Sequence, residues 1–227
     1  MKRPIDRDPL PKSLPENAPP IPWPVRRVLQ CPPINPPPTS SFTTVFEDRR
    51  SVRTMTAAPL REIINVVAYA TRARFVLAED TLQRTRRPSP SSGALHPIEV
   101  VIVDWRGAPR IMHYDPLAHQ LDILVPKGLN NLYELAHAAG EIVPHARGTT
   151  VVLLADAARV AAAYDNPQSL LWRDAGALLQ TLFLAATAFR LAFCPLGILG
   201  HEVVQALGLK KRITAAGVAM IGHPSDR

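Results

Sequence analysis

The sequence predicts an α+β fold, a sandwich-like packing of helices against a sheet, and three observations carry that expectation. Strand-forming runs are mixed with stretches of helical spacing, no segment repeats, and the apolar fraction of 47% matches an ordinary globular domain. A chain of 227 residues is long enough for one sizeable core with an appended tail.

The tail comes first. About half of the 24 prolines precede residue 40, in stretches such as Pro19-Pro20-Ile21-Pro22-Trp23-Pro24 and Pro36-Pro37-Pro38. Their fixed φ favours extended polyproline geometry over helix. Residues 1–41 are read as a proline-rich N-terminal arm and residues 42–227 as the folded domain. The arm is either a flexible leader or a strap around the body or a partner subunit, with Trp23 and Val25 as anchors. Charges and prolines between Met1 and Pro24 interrupt the apolar stretch that a signal peptide needs. Cys31 and Cys194 lie far apart, with neither a disulfide framework nor a zinc-site spacing. The expectation is a cytoplasmic protein.

Within the domain, Pro59 to Thr71 has helical spacing, with Leu60, Ile63, Ile64 and Val67 on one face. A charged, loop-like stretch follows. Ile98 to Val103 is β-rich, and Arg110 to Tyr114 with Gln120 to Val125 predict two more strands around the turn at Asp115-Pro116, a meander beside the first. Leu129 to Ala139 predicts a helix, Thr149 to Leu154 a buried strand, and Ala157 to Tyr164 a short helix. Glu202 to Leu207 predicts a helix stopped by Gly208, and Ala215 to Ile221 a last strand ending at Gly222.

Between these lies the most apolar run, Ala175 to Leu199. Gln180, Thr187, Arg190, Pro195 and two glycines interrupt it before it could span a bilayer, so it is read as a buried helix rather than a membrane segment. A helix apolar on all sides needs cover on all sides, part of which a second subunit can provide.

The formal charge of +7 suits an anionic ligand or a nucleic acid, but no aromatic-basic interleaving accompanies it, so a nucleic acid is not expected. Three segments carry more specific chemistry. In Arg49-Arg50-Ser51-Val52-Arg53, three guanidiniums and a hydroxyl can converge on one phosphate, whose oxygens suit the paired donors of arginine. Taken alone, such a run more often forms solvated surface. Arg87-Pro88-Ser89-Pro90-Ser91-Ser92-Gly93-Ala94-Leu95-His96-Pro97 is a rigid loop of small hydroxyls and main-chain donors, able to lie against a flat ring, or else a connector. The third segment runs from Asp174-Ala175-Gly176 to Pro195-Leu196-Gly197-Ile198-Leu199-Gly200. Its small residues allow close helix approach and its glycine turn lets backbone N–H groups reach a bound ring, although most of its side chains suit plain core packing.

In this order the three segments resemble the flavin-dependent nitroreductase superfamily, over about residues 46 to 222. Within it, the Arg87 to Pro97 stretch looks most like the SagB-type dehydrogenases, which oxidise thiazolines and oxazolines in peptide-derived natural products. The resemblance implies a central, mostly antiparallel sheet flanked by helices, and an obligate homodimer with FMN at the subunit interface. Arg49, Arg50, Ser51 and Arg53 would hold the phosphate and ribityl end. Ser89, Ser91, Ser92, Gly93 and Leu95 would line the flavin, and Leu196, Gly197 and Ile198 would lie near its ring.

The implied reaction is hydride transfer at flavin N5, on a small-molecule or modified-peptide substrate, with NAD(P)H as a candidate electron donor and biosynthetic proteins as candidate partners. The sequence departs from the SagB-like pattern at two places. Ala163 precedes Tyr164 where that branch carries lysine, which leaves Tyr164 as the candidate acid or hydrogen-bond donor. His96 stands where tyrosine is usual, as a proton donor or as a space-filler. The alternative is a catalytically reduced FMN-binding subunit that scaffolds a biosynthetic complex.

Overall fold

The computed structural model describes residues 7–38 and 41–225. The first six residues of the arm, residues 39 and 40 at its junction with the domain, and the last two residues lie outside the described residues. In chain order the elements are β1 (Leu10–Pro11), β2 (Val25–Gln30), α1 (Phe42–Asp48), β3 (Met55–Thr56), α2 (Leu60–Thr71), β4 (Phe75–Val76), β5 (Thr85–Arg86), β6 (Ile98–Asp104), β7 (Arg110–Asp115) and β8 (Gln120–Leu124). They continue with α3 (Leu129–Ile142), β9 (Thr149–Asp156), α4 (Ala157–Ala161), β10 (Tyr164–Asp165), α5 (Gln168–Ala188), β11 (Ala192–Leu196), α6 (His201–Leu207) and β12 (Ile213–Pro224).

The sheet is organised around β6 and β9, whose sequences Ile-Glu-Val-Val-Ile-Val-Asp and Thr-Thr-Val-Val-Leu-Leu-Ala-Asp are almost continuously apolar. Strands of that kind are buried on both faces, and helices cover this sheet from both sides. The order is β11-β12-β9-β6-β7-β8-β2, every neighbour antiparallel, with β3 paired to the end of β12. The α+β sandwich read from the sequence is the fold observed. α2 and α5 pack on one face with Val100, Ile102, Val151 and Leu153, and α3 and α6 pack on the other with Val101, Val103, Val152 and Leu154.

Local chemistry explains the meander β6-β7-β8. At its second turn the Asp115 carboxylate accepts from the backbone N–H groups of Leu117 and Ala118 at 2.8 and 3.0 Å, an Asx turn ahead of Pro116 and its neighbours. α6 stops at Gly208, which takes φ +69° as a left-handed C-cap.

Two expectations are corrected. The apolar run Ala175 to Leu199 is not one helix: α5 begins at Gln168 and ends at Ala188, and Ala192–Leu196 form the edge strand β11. Pro195 cannot donate to a helix or to an inner strand, but an edge strand tolerates it. The predicted helix from Ala157 to Tyr164 ends at Ala161, and Tyr164 lies in β10.

The proline-rich stretch makes specific contacts. β2 extends the sheet beyond β8, β1 pairs with β10 through Pro11 and Tyr164, and the Trp23 ring stacks on His113 at 4.4 Å. No helix among the described residues is long and apolar enough to cross a membrane.

Candidate functional site

The loop between β5 and β6 is fastened to α5 by one buried carboxylate. Asp174, in the second turn of α5, accepts the Ser91 hydroxyl at 2.6 Å, the Ser92 hydroxyl at 3.0 Å and the Ser92 backbone N–H at 3.1 Å. The Ser91 hydroxyl in turn accepts the His96 backbone N–H at 2.8 Å. Both serine side chains are therefore engaged in shaping the loop. Ser89 is buried, its hydroxyl directed at the Pro90 carbonyl at 3.3 Å, and the Leu95 side chain is fully enclosed in the core. The bend itself needs Gly93, which takes φ +56°. A Cβ there would come within 2.9 Å of the Tyr164 hydroxyl, so the phenol rests directly on the glycine.

Tyr164 is half-buried and has Arg84 within electrostatic reach, a cation that the Ala163-Tyr164 dipeptide itself does not supply. Arg84 is not a free charge, because its Nε and Nη2 bind the Asp80 carboxylate at 2.9 and 3.0 Å. That hydrogen-bonded pairing holds Asp80 down at about 2. His96 is buried, and burial first, then the neighbouring Arg87, push its pKa down to about 4. A neutral imidazole in this setting donates from Nε2 to the Thr85 carbonyl at 2.9 Å. The arrangement gives His96 a structural occupation.

The cationic segment follows α1 and lies beside β11, where the Val52 N–H donates to the Phe193 carbonyl at 3.2 Å. Arg49 places its guanidinium 4.8 Å from the centre of the Phe183 ring, and Arg50, Ser51 and Arg53 are exposed. Burial raises the Cys194 thiol, while a contact from Arg53 opposes that shift. At the end of β11, Leu196 is buried and Ile198 is half-buried. Gly197 is exposed, and open space lies where its Cβ would stand.

α5 thus anchors two stations. Asp174 holds the serine-glycine loop and Phe183 receives Arg49, nine residues along a helix that rises 1.5 Å per residue, so about 14 Å apart. The Arg49–Arg53 segment shares β11 with the turn at Gly197, while the loop shares its bend with Tyr164. Among the described residues no hydrogen bond or ion pair joins the cationic segment to the loop. A cavity of about 310 Å³ between α3 and Trp105 lies on the other face of the sheet and contains none of these residues.

The donor set fits a phosphate-bearing planar cofactor. None of Arg49, Arg50 or Arg53 has a carboxylate partner among the described residues, and the space beside Gly197 allows a ring to approach the main chain closely. The sequence did not single out Asp174, Arg84 or Arg87 as individual site residues. The one available signal was an acid placed just ahead of the most apolar stretch.

Comparison with known proteins gives the family of the chain. The model of the Nitroreductase family matches residues 46–223. No curated protein matches the chain. Among solved structures, a predicted nitroreductase of Ralstonia eutropha JMP134 superposes with a TM-score of 0.69 at 17% identity, covering 97% of this chain and 99% of that one. A chain of the Escherichia coli microcin synthetase McbBCD complex, solved with truncated pro-MccB17 bound, has a TM-score of 0.59 at 19% identity and covers 88% of this chain and 79% of its own. A predicted NADH oxidase of Clostridium acetobutylicum has a TM-score of 0.53 at 17% identity and covers 81% and 89%. With the family model matching residues 46–223, more than half of the chain and all three motif segments, the chain belongs to the Nitroreductase family of flavin-dependent oxidoreductases.

Proposed function

We propose that the chain works as a homodimer with FMN between the subunits, transferring hydride to or from a small-molecule or peptide-derived substrate in specialised metabolism. The observation that carries this reading is α5 serving two segments at once: its Asp174 fixes the serine-glycine bend and its Phe183 receives Arg49. Two copies of the chain would let the loop of one meet the arginines of the other. An outer stripe of α5, including Trp172, Gly176 and Leu179, is left partly uncovered in one chain, and Phe42 and Phe46 of α1 are exposed, which supports association through this side.

When bound, FMN supplies a hydride acceptor or donor at N5. Arg49, Arg50, Ser51 and Arg53 hold its phosphate and ribityl end. Asp174, through Ser91 and Ser92, keeps the Gly93 main chain in place against the ring, and Gly197 allows close approach from the other segment. Tyr164 offers its hydroxyl as a hydrogen-bond or proton donor beside Gly93. NAD(P)H is the proposed electron donor, and the two free cysteines suit a reducing cytoplasm.

The likeness of the Arg87 to Pro97 stretch to SagB-type dehydrogenases, together with the fold shared with a chain of the McbBCD complex, supports a peptide azoline as substrate and biosynthetic proteins as partners. A second reading, a scaffold subunit with reduced catalysis, draws on Ala163 in place of lysine and on the arm strand that pairs beside Tyr164. Absorbance between about 350 and 500 nm tests the cofactor, in the range where oxidised flavin absorbs. Yellow protein, or colourless protein that takes up added FMN, is expected, and protein that binds none sinks the proposal. Rapid turnover of bound flavin with NAD(P)H and a quinone removes the scaffold reading.

A further inference from the structure

A groove of about 570 Å³ runs between the β4-β5 hairpin and the serine-glycine loop. The hairpin wall carries Phe75 and Leu77, which are 59% and 43% exposed, together with Arg84 and Arg86, and Arg87 leads from it into the loop. No acidic residue lines it. Among these cations Arg87 is exceptional. Burial pushes its pKa down to about 10, yet no carboxylate lies within salt-bridge distance of it among the described residues. Its Nε donates to the Thr85 hydroxyl at 2.9 Å, which fixes the plane of the guanidinium. The two Nη nitrogens have no acceptor among the described residues, and neither is fully enclosed.

The carboxylates nearby are engaged elsewhere. Glu99 and Asp115 act on Arg87 through space, but Glu99 binds His113 at 2.9 Å and Asp115 accepts the Leu117 and Ala118 N–H groups, while Asp174 binds Ser91 and Ser92, and Asp80 binds Arg84. Across the groove floor, His96 is neutral. A half-buried guanidinium is costly to leave without an acceptor, and its planar fork matches a carboxylate.

We infer that this groove binds an amphipathic organic carboxylate, its apolar body against Phe75 and Leu77 and its carboxylate on the Nη atoms of Arg87, which makes Arg87 a specificity residue for the substrate. The inference rests on the oxidoreductase reading for its placement beside the flavin loop, but its test does not depend on turnover. The probes are 4-nitrobenzoate and its neutral isostere 4-nitrobenzamide, titrated calorimetrically into the intact FMN-loaded protein, whose flavin content is checked separately by absorbance. The wild type is expected to bind the benzoate about tenfold more tightly than the amide, a single charge-assisted contact being worth that much.

Arg87→Met is expected to bring the two dissociation constants within about twofold of each other and to leave the amide unchanged. If Arg87→Met does not fold, Arg87→Lys decides, because it keeps the charge and loses the fork. Its benzoate affinity is expected to fall about threefold. Equal binding of benzoate and amide by the wild type overturns the inference. So does an unchanged benzoate preference in Arg87→Met, or an unchanged benzoate affinity in Arg87→Lys. Protein that holds no flavin while still preferring the benzoate removes the cofactor reading and leaves the carboxylate site standing.

Discussion

The carboxylate of Asp174 accepts the hydroxyl of Ser91 at 2.6 Å across 83 positions of sequence, and through this contact the second turn of α5 dictates the shape of the loop that enters β6. Asp174→Asn removes the charge but keeps the volume. Hydrogen bonds to a buried charged group contribute about 1.5–3 kcal/mol each, and the amide can replace only some of them. A melting temperature lower by several degrees is expected, with FMN affinity reduced as well. Unchanged melting in a thermal scan would show the loop to be held by other contacts.

Arg49→Ala is expected to weaken FMN binding by about tenfold or more while leaving the fold intact, because one charge-assisted phosphate contact is lost and the contact over the Phe183 ring is worth only about 0.5–2 kcal/mol. Fluorescence titration with FMN measures the affinity and circular dichroism checks the fold. An unaltered dissociation constant would exclude the phosphate role.

For Tyr164→Phe the expectation is a turnover rate lower by about tenfold or more with flavin retained, within the range that a positioned proton donor contributes. Steady-state kinetics alongside flavin absorbance distinguish this from cofactor loss. Full activity would reduce Tyr164 to a packing residue on Gly93.

His113 sets the alkaline limit. Burial works against its charged form, but hydrogen bonds to Asp122 at 3.1 Å and Glu99 at 2.9 Å outweigh it and hold the pKa up at about 9 against an ordinary 6.5. A basic group with a raised folded pKa stabilises fully below its unfolded value and loses that contribution as pH rises through the folded one. Melting temperature is therefore expected to decline between pH 6.5 and 9, and His113→Gln to flatten that limb. His96, pushed down to about 4, acts in the opposite sense: its contribution is complete above 6.5 and is lost as pH falls through 4. A wild-type profile that is level from pH 6.5 to 9 would contradict the charged state of His113.

Gly176 lies on the outer side of α5 with nothing within 4 Å of a Cβ built on it. Replacing a helical glycine raises helix propensity by up to about 1 kcal/mol, so Gly176→Arg should not destabilise a single chain. If two copies associate through α5, the arginine enters their interface and monomers are expected in analytical ultracentrifugation. An undisturbed dimer would locate the interface elsewhere.

The elements legible in the sequence were those long enough to display a period. α2, β6 to β8, β9 and β12 each bury a regular set of side chains, and their apolar spacing announces it. The pairs β1-β10 and β4-β5 have two residues per strand, too few for alternation, and α1 buries nothing. The end of α5 was obscured because β11 continues the same apolar composition, and Arg190, at φ +59°, marks the change of direction with a residue that has no turn preference. At the site, the arginine run and the serine-glycine bend are written in consecutive residues. The grip of Asp174 on Ser91 and the approach of Arg84 to Tyr164 depend on positions about 80 residues apart, which no local pattern encodes.

Strand β2 has a consequence for handling the protein. Val25–Gln30 occupy the backbone donors and acceptors along the outer margin of β8, which would otherwise stand open. Shortening the chain past Gln30 bares that margin, and an unprotected strand recruits whatever extended peptide it meets, including its own copies. Turbidity in such a truncated preparation would report the missing selvedge, with the body beneath it still correctly knit.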